Sequence, residues 1–219
     1  MVCMDLTAKI CGLRTPETLH VAIEAGADWV GFVFFPKSPR HVSMDEAKAL
    51  APLVAGRAKK VALLVDPSDG LMADVIAALQ PDFLQLHGHE TPERVSEIRQ
   101  RFGVPLIKAV GIADQDDLTR AGAYESLVDW MLYDAKPPKQ AVLPGGNGVS
   151  FDWTLLKEAG KQHHFMLSGG LDAGNVANAL AITGAAGVDV SSGVESAPGI
   201  KDPERIKAFM TAVRHSAIQ

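Results

Sequence analysis

The sequence predicts a single-domain (β/α)₈ barrel over residues 1–219, and three observations carry the prediction. Short apolar, β-branched runs recur at about 8–11, 29–34, 59–65, 83–88, 105–110, 130–135, 164–169 and 187–192, the pattern of eight buried strands. Stretches with helix-start signals separate them, and alternation with connections this long means right-handed crossovers and a parallel sheet. Eight such units close most economically into a barrel, for which this length is the short end. The runner-up is an open doubly wound sheet. Against it, the first turn, Cys11-Gly12-Leu13-Arg14, lacks the G-x-G-x-x-G phosphate turn of a dinucleotide-binding fold.

The connecting elements can be read in order. Thr15-Pro16-Glu17 and Thr91-Pro92-Glu93 each supply a capping hydroxyl, a proline at the first helical position and an acid in the first turn. Ser43-x-x-Glu46 is a capping box ahead of EAKAL, and Asp172 is placed to cap AGNVANALA. Asp202-Pro203-Glu204 opens a final amphipathic helix running to about residue 216. The loosest stretch, Lys136 through Gly148, follows the sixth strand; it reads either as a mobile active-site loop or as a floppy surface connection.

Composition narrows the function. A hydrophobic content of 47% supports a sizeable core, and a net charge of -5 gives no general attraction to nucleic acid or to an anionic membrane. The expected partner is a small molecule, with a local basic site still able to capture a phosphate. The start, MVCMDLTAKICGL, has no apolar run long enough for a secretory signal and nothing later approaches a membrane span, so a cytoplasmic protein is expected. Cys3 and Cys11 are accordingly read as reduced thiols. The sequence leaves monomer or homodimer open.

In such a barrel the chemistry gathers at the C-terminal ends of the strands. These ends hold Cys11, Phe34 and Phe35 with Arg40 beyond, Asp66, His87, Asp134, Gly169-Gly170 and Ser192-Gly193. LSGGL at 167–171 and SSGVE at 191–195 close the seventh and eighth strands, where bared backbone amides can converge on a phosphate; each glycine alone equally permits a tight turn. Cys11 and Asp134 face one barrel mouth, as an acid and a base flanking a substrate would. Strand alternation puts Lys9 on the face of Cys11, an ammonium placed to stabilise a thiolate. Taken alone, Cys11 is also a small buried apolar residue, Asp134 a turn cap and Arg40 a solvated arginine. Arg40 has a planar donor fork suited to a carboxylate. His87 and Asp66 raise a metal-site alternative, but no paired-histidine spacing accompanies them and no metal is expected. Cys3 and His163-His164 are most simply structural.

The strand-end motifs, taken in order, resemble the phosphoribosylanthranilate isomerase family along nearly the whole chain. KICGL at 9–13, GFVFFPKSPRHV at 31–42, LQLHG at 84–88, LYDAK at 132–136, GGNGVSFDW at 145–153, LSGGLDAGNV at 167–176 and VDVSSGVESAPGIKD at 188–202 carry the resemblance. It implies a TIM barrel in which Cys11 is the general base, Asp134 the general acid and Arg40 the holder of the anthranilate carboxylate. It places Gly170, Ser192 and Gly193, with Gly169 beside them, on phosphate loops, and His87 and Asp189 along the substrate. Arg14, VALLVDP at the third strand and Tyr133 depart from the family's usual residues.

The implied reaction is an Amadori rearrangement in tryptophan biosynthesis needing no cofactor. Asp134, protonated, gives its proton to the ribose ring oxygen, and a Cys11 thiolate takes the C2 proton. Burial is expected to keep Asp134 protonated, while Cys11 must lose its proton. Competing readings are another phosphosugar barrel, such as indole-glycerol-phosphate synthase or a metal-dependent epimerase, and a non-catalytic phosphate binder. The synthase needs a catalytic lysine and glutamate at strand ends, where this chain has Cys11 and apolar or small residues.

Overall fold

Eight parallel strands close on themselves in chain order in a computed structural model that describes residues 6–136, 145–146, 148, 150–158 and 165–216. They are β1 (Thr7–Cys11), β2 (Trp29–Phe34), β3 (Lys59–Leu64), β4 (Phe83–Leu86), β5 (Leu106–Ile112), β6 (Trp130–Ala135), β7 (Phe165–Leu167) and β8 (Gly187–Val190). Each coincides with one of the eight apolar runs, and β1 pairs with β8, Lys9 opposite Asp189, to complete the barrel rather than the open sheet. Cys3, His163-His164 and most of the 136–149 loop lie outside the described residues.

Outside the strands run α1 (Pro16–Glu24), α2 (Met44–Val54), α3 (Asp69–Leu79), α4 (Pro92–Phe102), α5 (Gln115–Ala121), α6 (Val176–Thr183) and α7 (Pro203–Ser216). Among the described residues, the β6–β7 connection carries a 3₁₀ turn over Trp153–Leu156. The start signals act as the chemistry of each cap requires. Thr15 and Thr91 hydroxyls accept from the Thr18 and Arg94 N–H groups, and Ser43 and Glu46 form the reciprocal capping box. Asp202 Oδ1 accepts from the Glu204 and Arg205 N–H groups. α6 differs from the expectation: Asp172 Oδ1 takes the Gly174 and Asn175 N–H groups, at 2.8 and 3.1 Å, and so ties off a turn, and the helix begins only at Val176.

Strand alternation divides the core into two. Outward-facing Ala8, Ile10, Val30, Phe32, Leu84, Leu86, Phe165 and Val188 pack against the helices. Inward-facing Trp29, Val61, Phe83, Ile107, Ala109, Leu132 and Met166 fill the barrel's lower half, with Trp29 stacked on Phe83 at 4.5 Å and edge-on to Trp130 at 5.2 Å. This apolar plug makes the barrel a closed cup, leaving the other end for a site. Tyr133, one of the departures from the family pattern, faces outward against Phe165, its ring 5.0 Å away, and burial pushes its phenol up to about 12. It therefore leaves the mouth untouched.

The sequence reading contains no counterpart of the hairpin β9 (Glu195–Ala197) and β10 (Ile200–Lys201), inserted between β8 and α7. Among the described residues no helix is long and apolar enough to cross a membrane.

Candidate active site

At the C-terminal ends of the strands lies a cleft of about 760 Å³. Cys11, Arg40, His87, Asp134, Asp189, Gly169, Gly170 and Ser192, all singled out in the sequence, line it together. Gly193 lies just behind, where a Cβ would collide with the Leu171 carbonyl oxygen; glycine is what lets the β7 and β8 loops touch. Gly169 adopts φ +92, and a Cβ there would lie 2.5 Å from the Ala135 nitrogen, beside Asp134. These glycines meet the steric demand of packing and also bring both loops to one edge of the cleft.

Cys11 ends β1 and is buried, with Lys9 below it on the same inward row. Burial opposes a charge on Lys9, but Asp189, 2.8 Å away, and Cys11 itself hold its pKa above the ordinary lysine value. Lys9 does act on the thiol in the expected direction, pulling its pKa down together with Lys201, but burial pushes it up by more. Asp189, paired with Lys9, adds to the upward push. In the free chain Cys11 is a thiol at neutral pH. Lys9→Met is accordingly expected to raise the thiol pKa further, read from the pH dependence of iodoacetamide alkylation; an unchanged profile would remove Lys9 from the base's environment.

Asp134 stands across the mouth at the end of β6. Its Oδ1 accepts from the Ala135 N–H at 2.8 Å, and its Oδ2 lies 3.4 Å from His87 Nε2. A Cβ on Gly145 would meet Asp134 Oδ2 at 2.6 Å and His87 Cε1 at 2.7 Å, which puts the described part of the long loop over this pair. The active-site-loop reading therefore fits Gly145 and Gly146.

Arg40 is buried beside the cleft, but its fork is partly taken. Nε and Nη2 donate to the two oxygens of Glu195 at 2.7 and 2.9 Å, and Nη2 also reaches the Gly146 carbonyl at 3.2 Å. What remains toward the cleft is the Nη1 end, so any ligand carboxylate is met end-on rather than by the whole fork. Lys201 donates to Glu195 Oε1 at 2.7 Å and to the Ser191 carbonyl at 2.8 Å. Burial opposes a charge on Glu195, yet Arg40 and Lys201 hold it below the usual carboxylate range; burial depresses Lys201. Sequence reasoning missed Glu195 and Lys201 although both lie inside the last quoted motif, because the hairpin that turns them inward has no apolar run to announce it.

Asp66 is turned away from this constellation. Its carboxylate accepts from the His89 N–H at 2.6 Å and approaches the exposed His89 ring at 3.4 Å, so the structure does not bring it to His87. Among the described residues, no three histidine, cysteine, aspartate or glutamate side chains gather as a metal site would require. Arg14 donates to the Pro39 carbonyl at 2.8 Å and serves the loop that carries Arg40.

Comparison with known proteins agrees with this arrangement. The profile of the family described as N-(5'phosphoribosyl)anthranilate (PRA) isomerase matches residues 8–212. The N-(5'-phosphoribosyl)anthranilate isomerase of Rhodopseudomonas palustris (strain HaA2) is 57% identical over 213 residues, covering 97% of this chain and 98% of the relative. That of Azorhizobium caulinodans is 57% identical over 211 residues, covering 96% and 92%. The crystal structure of the Thermotoga maritima phosphoribosyl anthranilate isomerase superposes with a TM-score of 0.87 at 35% identity, covering 96% of this chain and 99% of that one. A phosphoribosyl anthranilate isomerase solved in complex with reduced 1-(o-carboxyphenylamino)-1-deoxyribulose 5-phosphate superposes at 0.84 with 34% identity, covering 96% and 99%. With the family profile spanning nearly all of the barrel and relatives this similar over their full lengths, the chain belongs to the N-(5'-phosphoribosyl)anthranilate isomerase family.

Proposed function

We propose that Cys11 and Asp134 carry the reaction of this isomerase, the conversion of N-(5'-phosphoribosyl)anthranilate to 1-(2-carboxyphenylamino)-1-deoxyribulose 5-phosphate in tryptophan biosynthesis. The observation that supports the assignment is a single cleft lined by a buried thiol, a carboxyl, an arginine and two glycine-rich loops, with the thiol and the carboxyl on different strands. The phosphate lies against Gly169-Gly170 and Ser192-Gly193, and the anthranilate carboxylate meets the Nη1 end of Arg40. The sugar then spans the distance between Cys11 and Asp134.

Asp134 gives a proton to the ribose ring oxygen as the bond from C1 breaks, leaving a Schiff base whose nitrogen is the electron sink. Cys11 removes the C2 proton, and the enolamine that forms tautomerises to the ketone. Because Cys11 rests as a thiol, its proton must leave before it acts; Lys9 and Lys201 stabilise the anion at that moment. The sign of the pH dependence follows. The active base is the deprotonated form, so the thiolate fraction rises with pH through the raised thiol pKa, and kcat/KM follows it as long as Asp134 keeps the proton it must deliver.

Loss of anthranilate-type fluorescence from phosphoribosylanthranilate tests the assignment directly. Turnover unchanged by EDTA is expected; loss on chelation would favour a metal-dependent phosphosugar epimerase. Arg40→Lys is expected to raise KM about tenfold with a smaller change in kcat, because an ammonium cannot hold Glu195 on one side and a carboxylate on the other. An unchanged KM would take Arg40 off the substrate.

One chain carries every group used above. The assembly is read as a monomer or homodimer; the Thermotoga maritima relative is described as dimeric and has been solved as monomers generated from it. The cytoplasm is the compartment that suits a thiol base kept reduced.

A further inference from the structure

We infer that Gln85, beneath the mouth of the barrel, is a positioning residue: its side-chain amide fixes His87 as the neutral tautomer that donates from Nε2 to Asp134. The inference rests on Asp134 as the acid.

Gln85 and His87 are two residues apart on the inward row that begins in β4, and Gln85 is fully buried. Its Nε2 lies 3.3 Å from His87 Nδ1. On the far side of the ring, His87 Nε2 lies 3.4 Å from Asp134 Oδ2, while Asp134 Oδ1 already accepts from the Ala135 N–H. An amide N–H aimed at Nδ1 makes that nitrogen an acceptor, so a neutral ring must carry its hydrogen on Nε2. The chain of donors then runs one way, from Gln85 to His87 to Asp134.

Turning the amide over would put its oxygen against Nδ1 and move the ring proton there. Nε2 would then present a lone pair to Asp134 and accept the proton that the acid must deliver to the sugar. As it sits, the amide places one N–H on Nδ1 and leaves Oε1 buried without a partner; turned over, both N–H groups would be left without one. By register Gln85 lies between Leu63 and Ile107, in a layer where aliphatic side chains are the usual filling. An amide with an orphaned oxygen is a poor choice there for stability, and the ring above it is what accounts for it.

The gain is in the step that breaks the ring. As the Asp134 proton leaves for the sugar oxygen, negative charge grows on the carboxylate; the Ala135 N–H already donates to Oδ1, and an Nε2–H on His87, 3.4 Å from Oδ2, is close enough to tighten onto that oxygen as the charge develops. In the other tautomer the growing charge meets a lone pair.

The ring proton can be read directly in the intact, ligand-free protein labelled with ¹⁵N-histidine, from long-range proton–nitrogen correlations above the imidazole pKa. His87 is expected with hydrogen on Nε2 and a bare Nδ1; hydrogen on Nδ1 in the wild type overturns the inference. Gln85→Met keeps the volume and removes the donor. It is expected to fold with a thermal midpoint no lower than wild type, to lose the fixed His87 tautomer, and to lower kcat about 10- to 100-fold with KM within about twofold. Gln85→Glu, compared at a pH where the new carboxyl is ionised, can only accept, so it draws the ring proton to Nδ1 and lowers kcat further than the methionine. Wild-type kcat, or a wild-type His87 signature, in either variant overturns the inference. Should Asp134→Asn turn over normally while wild-type His87 carries its proton on Nε2, the acid assignment fails and the tautomer lock stands.

Discussion

Cys11→Ala should lose about 10² to 10⁴ in kcat, because a positioned general base contributes that much to removing a carbon-bound proton. KM should move little. The thiol sits at the floor of the cleft, while the groups proposed to hold the two ends of the substrate, Arg40 and the glycine loops, are elsewhere in its lining. The fold should survive the change, since Lys9 keeps its buried partner Asp189 at 2.8 Å and only a small side chain is removed. Initial rates in the fluorescence assay, with a thermal melt as control, decide the matter. A turnover near wild type would refute the base. The same variant should also lose the limb that the thiol titration contributes to the pH profile of kcat/KM in the parent.

Asp134→Asn is expected to be as damaging, again about 10² to 10⁴ in kcat, since the amide keeps the shape and cannot release a proton to the ring oxygen. An asparagine that places its carbonyl at the position of Oδ1 still accepts from the Ala135 N–H, so the end of β6 should hold. Its NH₂ then faces His87 Nε2 donor to donor, a clash that the Gln85 lock makes worse. Substrate binding measured at equilibrium should be close to wild type while turnover collapses; unimpaired turnover would remove Asp134 as the acid.

The barrel was legible because its physics is repetitive. Eight runs of β-branched and aromatic residues and the caps at Thr15, Ser43 and Thr91 are local signals, and each produced the element it announces. Asp172 misled by a few residues because an aspartate can cap a turn as readily as a helix. That Cys11, His87 and Asp134 share one mouth followed from their places at strand ends, that Lys9 lies on the face of Cys11 followed from parity, and Asp189 came from the family resemblance. What parity does not convey is charge balance. The upward shift of the Cys11 thiol depends on its burial and on Asp189, which arrives from the opposite end of the chain, and the occupied fork of Arg40 depends on a hairpin of short, partly exposed strands. Gln85 was passed over inside a quoted motif for a related reason: one polar residue in an apolar strand signals nothing until the task of the histidine it supports, facing Asp134 across the mouth, is known.

The pairing of the first strand with the last has a bearing on how the protein is born. Lys9 meets Asp189, and the Cys11 carbonyl accepts from the Ser191 hydroxyl, in each case across 180 residues of chain. Arg40 finds Glu195 across 155 residues. A nascent chain that has laid down seven strands therefore holds a lysine with no counter-ion, an unclamped arginine and an open edge beside its cysteine. Catalytic competence arrives as a late event of synthesis, once the eighth strand and the hairpin after it have been made.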